Sequence, residues 1–449
     1  MKYALILLLL SMTESTQRSW GFIAPGVSRS SFSSPTSAGA TSHNRVPWLG
    51  RTALRSSARS TTNDGSSSSG DSSQTCSTSR GEGAAGAFTF GEGLRMTRRS
   101  FGITAGGAAL AALLAGPGPS MAGGSSGKRT VVITGASSGI GLDAATKLVA
   151  MGHDVHVACR TEAKAKAAAE TSGAAGAFAC DLSSLESVRS FVDSWGGKPI
   201  DTLCLNAGLA PNTKGAPSYC TEGFEEAVGT NHLGHFLLAN LLIKPLEKGA
   251  LGTPRLVVTA SSVHDPDTPG GNQGEKATLG DMSGLERYLA ADGDSRKFDM
   301  VDGGEYNGDK AYKDSKLCNV LFTKEAQRRL SSKKSRVMVD CFSPGLIPSS
   351  GLFRNQNPFF SKIFDFAATN LLKVAASVGM GGDTLVAMVT EISLQDGSKG
   401  GRFFATEPGK PESAFSEQAV SVEAQDVDKQ KRLWELSAGC VGLGPKTPI

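Results

Sequence analysis

The chain has 449 residues, with 46 lysines and arginines, 42 aspartates and glutamates, and a formal net charge of +4. Twelve basic and five acidic residues give the first 128 residues a charge of +7, which leaves −3 for residues 129–449. The basic character therefore belongs to the N-terminal segment and gives no reason to expect nucleic-acid binding. The eight cysteines form no Cys-x-x-Cys pair, which argues against a zinc site or a disulfide framework.

The first 127 residues are rich in serine, glycine, alanine and threonine, and they predict a leader rather than a folded domain. Residues 1–20 have the form of a signal peptide, because Lys2 precedes an apolar run (4–10) that is too short to span a membrane. Residues 21–127 are rich in serine and arginine, poor in acidic residues, and resemble a plastid transit region. Together the two segments look like the bipartite leader of algae with secondary plastids, and they predict a plastid location. A secreted protein with a disordered arm is the alternative.

A third element lies inside this leader, at residues 97–122. Arg98 and Arg99 precede an apolar run (102–115) that is rich in glycine and alanine, an arrangement that resembles a Tat-type signal. It either directs the following domain to the thylakoid membrane or forms the tail of the transit region. The run is too short and too rich in glycine to predict a transmembrane anchor.

The folded part begins with a strand, a glycine-rich loop and a helix. Residues 130–133 are apolar and mostly β-branched, which predicts a buried parallel strand, and a helical pattern follows at 141–151. Between them, the spacing Gly-x-x-x-Gly-x-Gly lets the backbone turn sharply and approach a pyrophosphate at the helix N-terminus. A glycine turn with no ligand is the alternative. The predicted cofactor contacts are Gly135, Ser137, Ser138, Gly139, Ile140 and Gly141.

A second strand is predicted at 154–158, and the residue type after it indicates which cofactor binds. An acidic residue there would bind a ribose 2′-hydroxyl, whereas Arg160 suits a 2′-phosphate, so the sequence predicts NADPH rather than NADH. A solvated arginine at a helix start is the alternative. Two later turns also follow short apolar strands and are predicted to face the cofactor, at Asp181 and at Asn206, Ala207 and Gly208.

Tyr312 and Lys316 are four residues apart and should lie one turn apart on one helix face. An ammonium beside a phenol favours the phenolate, so the pattern predicts a tyrosine pKa below its usual value of about 10. Such a phenol could deliver a proton to a substrate while a hydride arrives from a cofactor. With the dinucleotide-binding loop upstream, this pair predicts a reductase.

From about residue 128 to 449, these motifs resemble the short-chain dehydrogenase/reductase family. The resemblance implies one doubly wound α/β domain of Rossmann type with a parallel sheet, and its site at the carboxyl ends of the strands. It implies that Ser261 orients the substrate, Asn231 holds a proton-relay water, and Lys316 binds the nicotinamide ribose and tunes Tyr312. Ser262 competes for the serine role, and Ser261 is preferred for its offset from the strand 255–259. Pro344 and Gly345 are predicted to join the cofactor contacts.

Within this family the chain resembles most the light-dependent protochlorophyllide reductases. The resemblance rests on Thr-Asn-His-Leu-Gly-His-Phe-Leu-Leu (230–238) and on Lys-Asp-Ser between Tyr312 and Lys316. Ser261 and Tyr312 are also unusually far apart, 51 positions, and the segment between them (264–308) is rich in glycine and aspartate. That segment predicts a binding loop or lid, with a disordered insertion as the alternative. The sequence departs from the resemblance at Ala210, Ser343 and Leu346, where pigment-pocket residues are expected.

The resemblance implies light-dependent reduction of protochlorophyllide to chlorophyllide, with hydride from NADPH and the proton from Tyr312. One alternative is a dark NADP(H)-dependent plastid reductase that uses the same residues on a carbonyl or alcohol of another apolar substrate. A third hypothesis is a non-catalytic NADPH-binding protein of the plastid membrane. The apolar run 359–372 could cover a large ligand, touch a membrane or belong to the core. His232 and His235 are expected to pack or hydrogen-bond rather than bind metal, and no oligomeric state is predicted.

Overall fold

The computed structural model describes residues 127–213, 215–348, 375–390, 399–444 and 447–449. The predicted reductase domain, residues 128–449, lies within these ranges except for residues 214, 349–374, 391–398 and 445–446. The predicted signal peptide, transit region and Tat-like segment, and the apolar run 359–372, lie outside the described residues.

One sheet organises the fold, with the strand order β3-β2-β1-β4-β5-β6-β7-β8. All neighbouring strands are parallel except β7 and β8, which are antiparallel. The doubly wound parallel sheet predicted from the sequence is therefore confirmed, with a short antiparallel strand added at one edge. The strands are β1 (Thr130–Thr134), β2 (Asp154–Cys159), β3 (Gly176–Ala179), β4 (Thr202–Leu205), β5 (Arg255–Thr259), β6 (Met338–Phe342), β7 (Phe403–Ala405) and β8 (Ser416–Gln418).

Helices connect the parallel strands, and none in the described ranges is long and apolar enough to cross a membrane. A π-helical turn (Gly229–Leu233) joins two of them. The helices are α1 (Gly139–Ala150), α2 (Glu162–Ser172), α3 (Leu185–Trp195), α4 (Glu226–Val228), α5 (Gly234–Glu247), α6 (Ser283–Ala290), α7 (Gly308–Ser332), α8 (Val378–Thr390), α9 (Val422–Gln425) and α10 (Val427–Cys440).

The helices cover both faces of the sheet, and β1 shows how the sequence produces this arrangement. Successive strand side chains point to opposite faces. Val131 and Ile133 accordingly join an apolar cluster with residues of α1, α2 and α8. Val132 joins a second cluster with residues of α3, α5, α7 and α10. Burial on both sides explains why β1 is apolar at every central position.

The strand order places a crevice next to β1. From β1 the chain moves outward through β2 to β3 and then returns to β4, on the other side of β1. Connections that leave two adjacent parallel strands in opposite directions open a crevice at their carboxyl ends, where ligands of this fold class bind. The loops after β1 and β4 carry the predicted cofactor residues, so the topology brings them to this crevice.

The segment 264–308 is structured, so the alternative of a disordered insertion is wrong. It contains helix α6, which the sequence did not predict. The segment is bound to the first turns of α7. Lys313 Nζ donates to the carbonyl oxygens of Gln273 and Glu275, the latter at 2.8 Å. Lys310 Nζ donates to Thr278 O at 2.8 Å, and the Thr278 N–H donates to Asp314 Oδ1 at 3.0 Å.

Seven cysteines lie in the described ranges, and all are buried free thiols. Burial raises the pKa of the Cys180 thiol to about 12 and holds the pKa of Cys318 well above its usual value. A thiol with a raised pKa is a poor nucleophile. These cysteines therefore behave as small apolar core residues, and a reactive role for Cys318 is not supported.

Candidate active site

A cleft of about 280 Å³ opens at the carboxyl ends of β1, β4 and β5. Most of the predicted site residues line it, although they come from seven separate stretches of the chain. Gly139 and Asn231 are not in its lining. The predicted residues that line the cleft are Gly135, Ser137, Ser138, Ile140, Gly141, Arg160, Asp181, Asn206, Ala207, Gly208, Ser261, Tyr312, Lys316, Pro344 and Gly345.

Two glycines allow the loop after β1 to pack directly on the loop after β4. Gly135 has φ +69°, and a Cβ there would lie 2.6 Å from Ala207 Cα. A Cβ on Gly141 would lie 2.6 Å from Asn206 Nδ2. Side chains at these positions would push the two loops apart. Ser138 makes no side-chain cap on α1, so the first N–H groups of that helix suit an anionic group.

Thr134, the last residue of β1, supports the loop after β4 through hydrogen bonds. Its hydroxyl oxygen accepts the N–H groups of Asn206 at 2.9 Å and Ala207 at 3.1 Å. The Asn206 side chain donates in return to Thr134 O at 2.9 Å. Thr134 is almost fully buried, so these bonds are shielded from water. They fix the Asn206-Ala207-Gly208 turn at the centre of the crevice.

Two cationic side chains line one end of the cleft, Arg160 after β2 and Lys164 on α2. Both residues are exposed, which suits groups that bind a charged ligand from solvent. The sequence analysis identified Arg160 but missed Lys164, although the four-residue spacing on a predicted helix was visible. Asp181 lies on the same cleft, and its Oδ1 accepts the backbone N–H and the hydroxyl of Ser183, at 3.0 and 2.7 Å.

Tyr312 does not have the lowered pKa that the sequence predicted. Burial raises the pKa of Tyr312, and the hydrogen bond with Ser261 opposes that shift only in part. The prediction was wrong because it considered the neighbouring ammonium and not the loss of water around the phenol. Tyr312 therefore carries its proton near neutral pH, the form needed to donate it.

Lys316 lies beside Tyr312, with Nζ 5.6 Å from the centre of the tyrosine ring. Its ammonium donates to Thr259 O at the end of β5, at 3.3 Å. Burial lowers the pKa of Lys316 to about 8. A lysine with this pKa keeps its proton at pH 7 and can give it up more readily than an exposed lysine.

Asn231 is fully buried behind the cleft, in the π-helical turn before α5. Its side chain is hydrogen-bonded to the backbone of Leu209, accepting from N at 2.9 Å and donating to O at 2.9 Å. Its second amide hydrogen goes to Ser315 Oγ at 3.0 Å. The side chain thus ties the wall after β4 to the helix that carries Tyr312 and Lys316. The water-holding role of Asn231 stays a prediction.

The cleft wall away from the cations contains residues that the sequence analysis did not identify. Glu226 and Thr230 line it together with Leu209 and Ile347. Glu226 and Thr230 are four residues apart, and Thr230 directly precedes Asn231. This spacing could have indicated that both residues line the cleft. Leu209 and Ile347 are apolar residues in loops, and no sequence signal distinguishes them from core residues.

The geometry also separates the two serine candidates. Ser261 lines the cleft and hydrogen-bonds Tyr312, whereas the Ser262 N–H donates to Ser343 Oγ at 3.2 Å. Ser343 is nearly fully buried and so supports the loop after β5. Leu346 is not in the cleft lining, although its neighbours Gly345 and Ile347 are. The structure therefore brings Ser261, not Ser262, to the tyrosine.

The sequence profile of the family described as short chain dehydrogenase matches residues 129–271. Over 323 residues, the chain is 40% identical to a protein named "Protochlorophyllide reductase, chloroplastic" from Cucumis sativus, covering 70% of this chain and 78% of that protein. It is also 40% identical to "Protochlorophyllide reductase" from Avena sativa over 321 residues, covering 70% of this chain and 99% of that protein.

Among solved structures, the chain is similar to a putative uncharacterized protein from Mycobacterium Paratuberculosis. The two are 28% identical, with a TM-score of 0.51, and the match covers 71% of this chain and 96% of that one. This similarity extends over the sheet and its helices rather than over a single motif.

Proposed function

This chain belongs to the short-chain dehydrogenase family, and we propose that it is an NADPH-dependent reductase that converts protochlorophyllide to chlorophyllide in the light. The observation that carries the proposal is the 40% identity, over 323 and 321 residues, to two proteins named protochlorophyllide reductase. The family membership alone supports a nicotinamide-dependent oxidoreductase. The choice of pigment and the light requirement rest on the relatives.

The residues of the cleft fit NADPH. The uncapped N-terminus of α1 and the glycine turn after β1 suit the pyrophosphate. Arg160 and Lys164 give two positive charges where the 2′-phosphate of the adenosine ribose would lie. Asp181, Pro344 and Gly345 line the same cleft, and we expect Asp181 to contact the adenine and the other two to border the nicotinamide end. The preference for NADPH over NADH depends on the two cations.

NADPH bound in this cleft would supply a hydride to one carbon of a ring double bond. Tyr312 then donates its hydroxyl proton to the neighbouring carbon, so that the double bond gains both hydrogens. The Ser261 hydroxyl, hydrogen-bonded to Tyr312, orients the phenol toward the substrate. Lys316, with a pKa of about 8, holds a proton near Tyr312 and stabilises the phenolate left after donation.

The relatives named chloroplastic, together with the form of the leader, support a plastid location. Association with the thylakoid remains a prediction from the Tat-like segment.

The experiment that tests the function records absorbance spectra of the purified protein with NADPH and protochlorophyllide, first in darkness and then after a light flash. We expect a red shift of the pigment band on binding in darkness, and conversion to chlorophyllide only after the flash. The control is Tyr312→Phe, which removes the proton donor and should retain NADPH binding while turnover falls by about 100-fold or more.

Each other outcome has a distinct meaning. Conversion in darkness would contradict light dependence, and unchanged turnover in Tyr312→Phe would contradict the role of Tyr312. If the pigment neither binds nor reacts, the proposed substrate is wrong. The second candidate, a dark reductase for a carbonyl or alcohol of another apolar molecule, would then be tested with NADPH, because the same four residues serve that chemistry.

A further inference from the structure

A fully buried histidine links the cofactor turn to the catalytic asparagine. His235 lies on the first turn of α5, and its Nε2 is 2.9 Å from Thr134 Oγ1. Its Nδ1 is 3.1 Å from the backbone oxygen of Asn231. Thr134 supports the Asn206-Ala207-Gly208 turn, and Asn231 supports the cleft wall at Leu209. His235 therefore contacts both supports and lines no part of the cleft itself.

Hydrogen-bond accounting fixes the proton on the imidazole. A carbonyl oxygen can only accept, so His235 Nδ1 must donate to Asn231 O. Thr134 Oγ1 already accepts two backbone N–H groups, which fill its two lone pairs. The hydroxyl hydrogen of Thr134 must then point away from these two N–H groups. Two acceptors are within reach, His235 Nε2 at 2.9 Å and Cys204 O at 3.3 Å, and the histidine is the nearer. Both arguments give the same tautomer, with the proton on Nδ1.

The surroundings keep the imidazole neutral. His235 is almost fully buried, and burial lowers its pKa to about 3, with the Lys316 charge acting in the same direction. A doubly protonated ring would also present an N–H to a threonine oxygen that has no lone pair left. Nε2 therefore remains an acceptor at neutral pH.

We propose that His235 is a positioning residue that orients the Thr134 hydroxyl toward the cofactor turn and, through its other nitrogen, holds the backbone of Asn231. If the Thr134 hydrogen is not taken up by His235, the hydroxyl can rotate and give up one of its two backbone contacts. The turn at Asn206-Ala207-Gly208 would then be less fixed where the cofactor binds. This inference rests on the proposed binding of NADPH and adds a residue that does not touch it.

Two substitutions test the roles of the two imidazole nitrogens of His235 separately. An asparagine amide reaches the position of Nδ1 and a glutamine amide that of Nε2. His235→Asn should keep the bond to Asn231 O and lose the acceptor for Thr134, so the Kd for NADPH should rise on the order of tenfold. His235→Gln should keep NADPH binding within about twofold and lower turnover severalfold, because Asn231 O loses its donor.

His232 provides the matched control. It is equally buried three residues earlier, but its Nε2 is 2.9 Å from Ser437 Oγ on α10, away from the cleft. His232→Asn and His232→Gln should lower stability without separating NADPH affinity from turnover. A second measurement needs no variant: ¹⁵N NMR of histidine-labelled wild-type protein should show His235 protonated at Nδ1 only.

The outcomes distinguish this inference from the proposed function. NADPH binding by His235→Asn at wild-type affinity, or an imidazole protonated at Nε2, would overturn the positioning role while leaving the function intact. If the wild-type protein does not bind NADPH, the proposed function fails, and the inference fails with it. The inference would be supported if His235→Asn mainly weakened NADPH binding and His235→Gln mainly lowered turnover, while the two His232 variants showed no such difference.

Discussion

At the scale of single residues, the site combines groups whose charge states are set mainly by burial. Tyr312 retains its proton and Lys316 loses part of its affinity for one, and desolvation is the largest cause of both pKa shifts. The pair is thereby prepared for proton donation before any ligand enters. Arg160 and Lys164 differ from this pair because they are exposed to solvent.

The cofactor preference can be tested at the two exposed cations. In Arg160→Asp, a carboxylate would repel the 2′-phosphate, so the Kd for NADPH should rise by about 10- to 100-fold and that for NADH much less. The control is Lys166→Asp on α2, the helix that follows Arg160. It alters a cation that is paired with Glu162 and does not line the cleft. Titration of both cofactors against each variant makes the measurement. An equal loss of NADH and NADPH affinity would reject the 2′-phosphate contact.

At the scale of elements, α7 has two working faces. One carries Tyr312 and Lys316 to the cleft, and the other carries Lys310, Lys313 and Asp314 to the segment 264–308. This explains the polar residues between Tyr312 and Lys316, which in a buried helix would otherwise lack partners. Ser315 serves the first face, because it receives the Asn231 amide. Within the described ranges, the segment contributes no residue to the cleft lining. Its contacts therefore hold α7 in place and do not form a wall of the cleft.

Loss of one anchor should loosen this segment. Lys313→Met removes a nearly buried ammonium that donates to two backbone carbonyls, and should reduce stability by about 3 kcal/mol. Faster hydrogen exchange at residues 273–279, with an unchanged Kd for NADPH, is the expected result. Asp309→Asn removes only the partly exposed ion pair of Lys313, 2.6 Å, and should have a smaller effect. If exchange in 273–279 does not change in Lys313→Met, the anchoring role is wrong.

At the scale of the whole molecule, one buried carboxyl should make stability depend on pH. Burial raises the pKa of Glu225 from 4.5 to about 7, and one of its oxygens has no partner among the described residues. Between these values the folded form holds a proton that the unfolded form has lost. Stability contributed by this group is therefore present at low pH and falls as pH rises from about 4.5 to about 7.

The variant Glu225→Gln removes this dependence. From pH 5 to pH 8, its stability relative to the wild type should increase by on the order of 2 to 3 kcal/mol, as measured by urea unfolding at each pH. Glu226→Gln is the control, because that carboxylate is partly exposed on the same turn. A constant difference between Glu225→Gln and wild type at the two pH values would contradict the buried-carboxyl argument.

The sequence was sufficient for the sheet and for most of the cleft, because strand, turn and helix signals are local and the carboxyl ends of parallel strands meet at one edge. It could place Gly135 and Asn206 at the same crevice without knowing any distance. It could not find the contact between Thr134 and His235, because the two residues are 101 positions apart in the chain and no local pattern pairs them. It also misjudged the pKa of Tyr312, since burial depends on the entire fold. Helix α6 escaped notice because glycines and aspartates flank it.

Because α7 contacts both the cleft and the segment 264–308, it cannot be transferred to another protein by itself. A chimera that moved residues 308–316 into a reductase scaffold without the 264–308 segment would import Lys310, Lys313 and Asp314 without the backbone groups that receive them. Lys310 and Lys313 would then keep only their pairs with Asp314 and Asp309 on the same helix. The helix would be expected to rotate or fray beside Tyr312 and Lys316. Trimming the segment to obtain a smaller catalyst would have the same consequence. The smallest exchangeable unit is the helix together with its loop, moved as one piece.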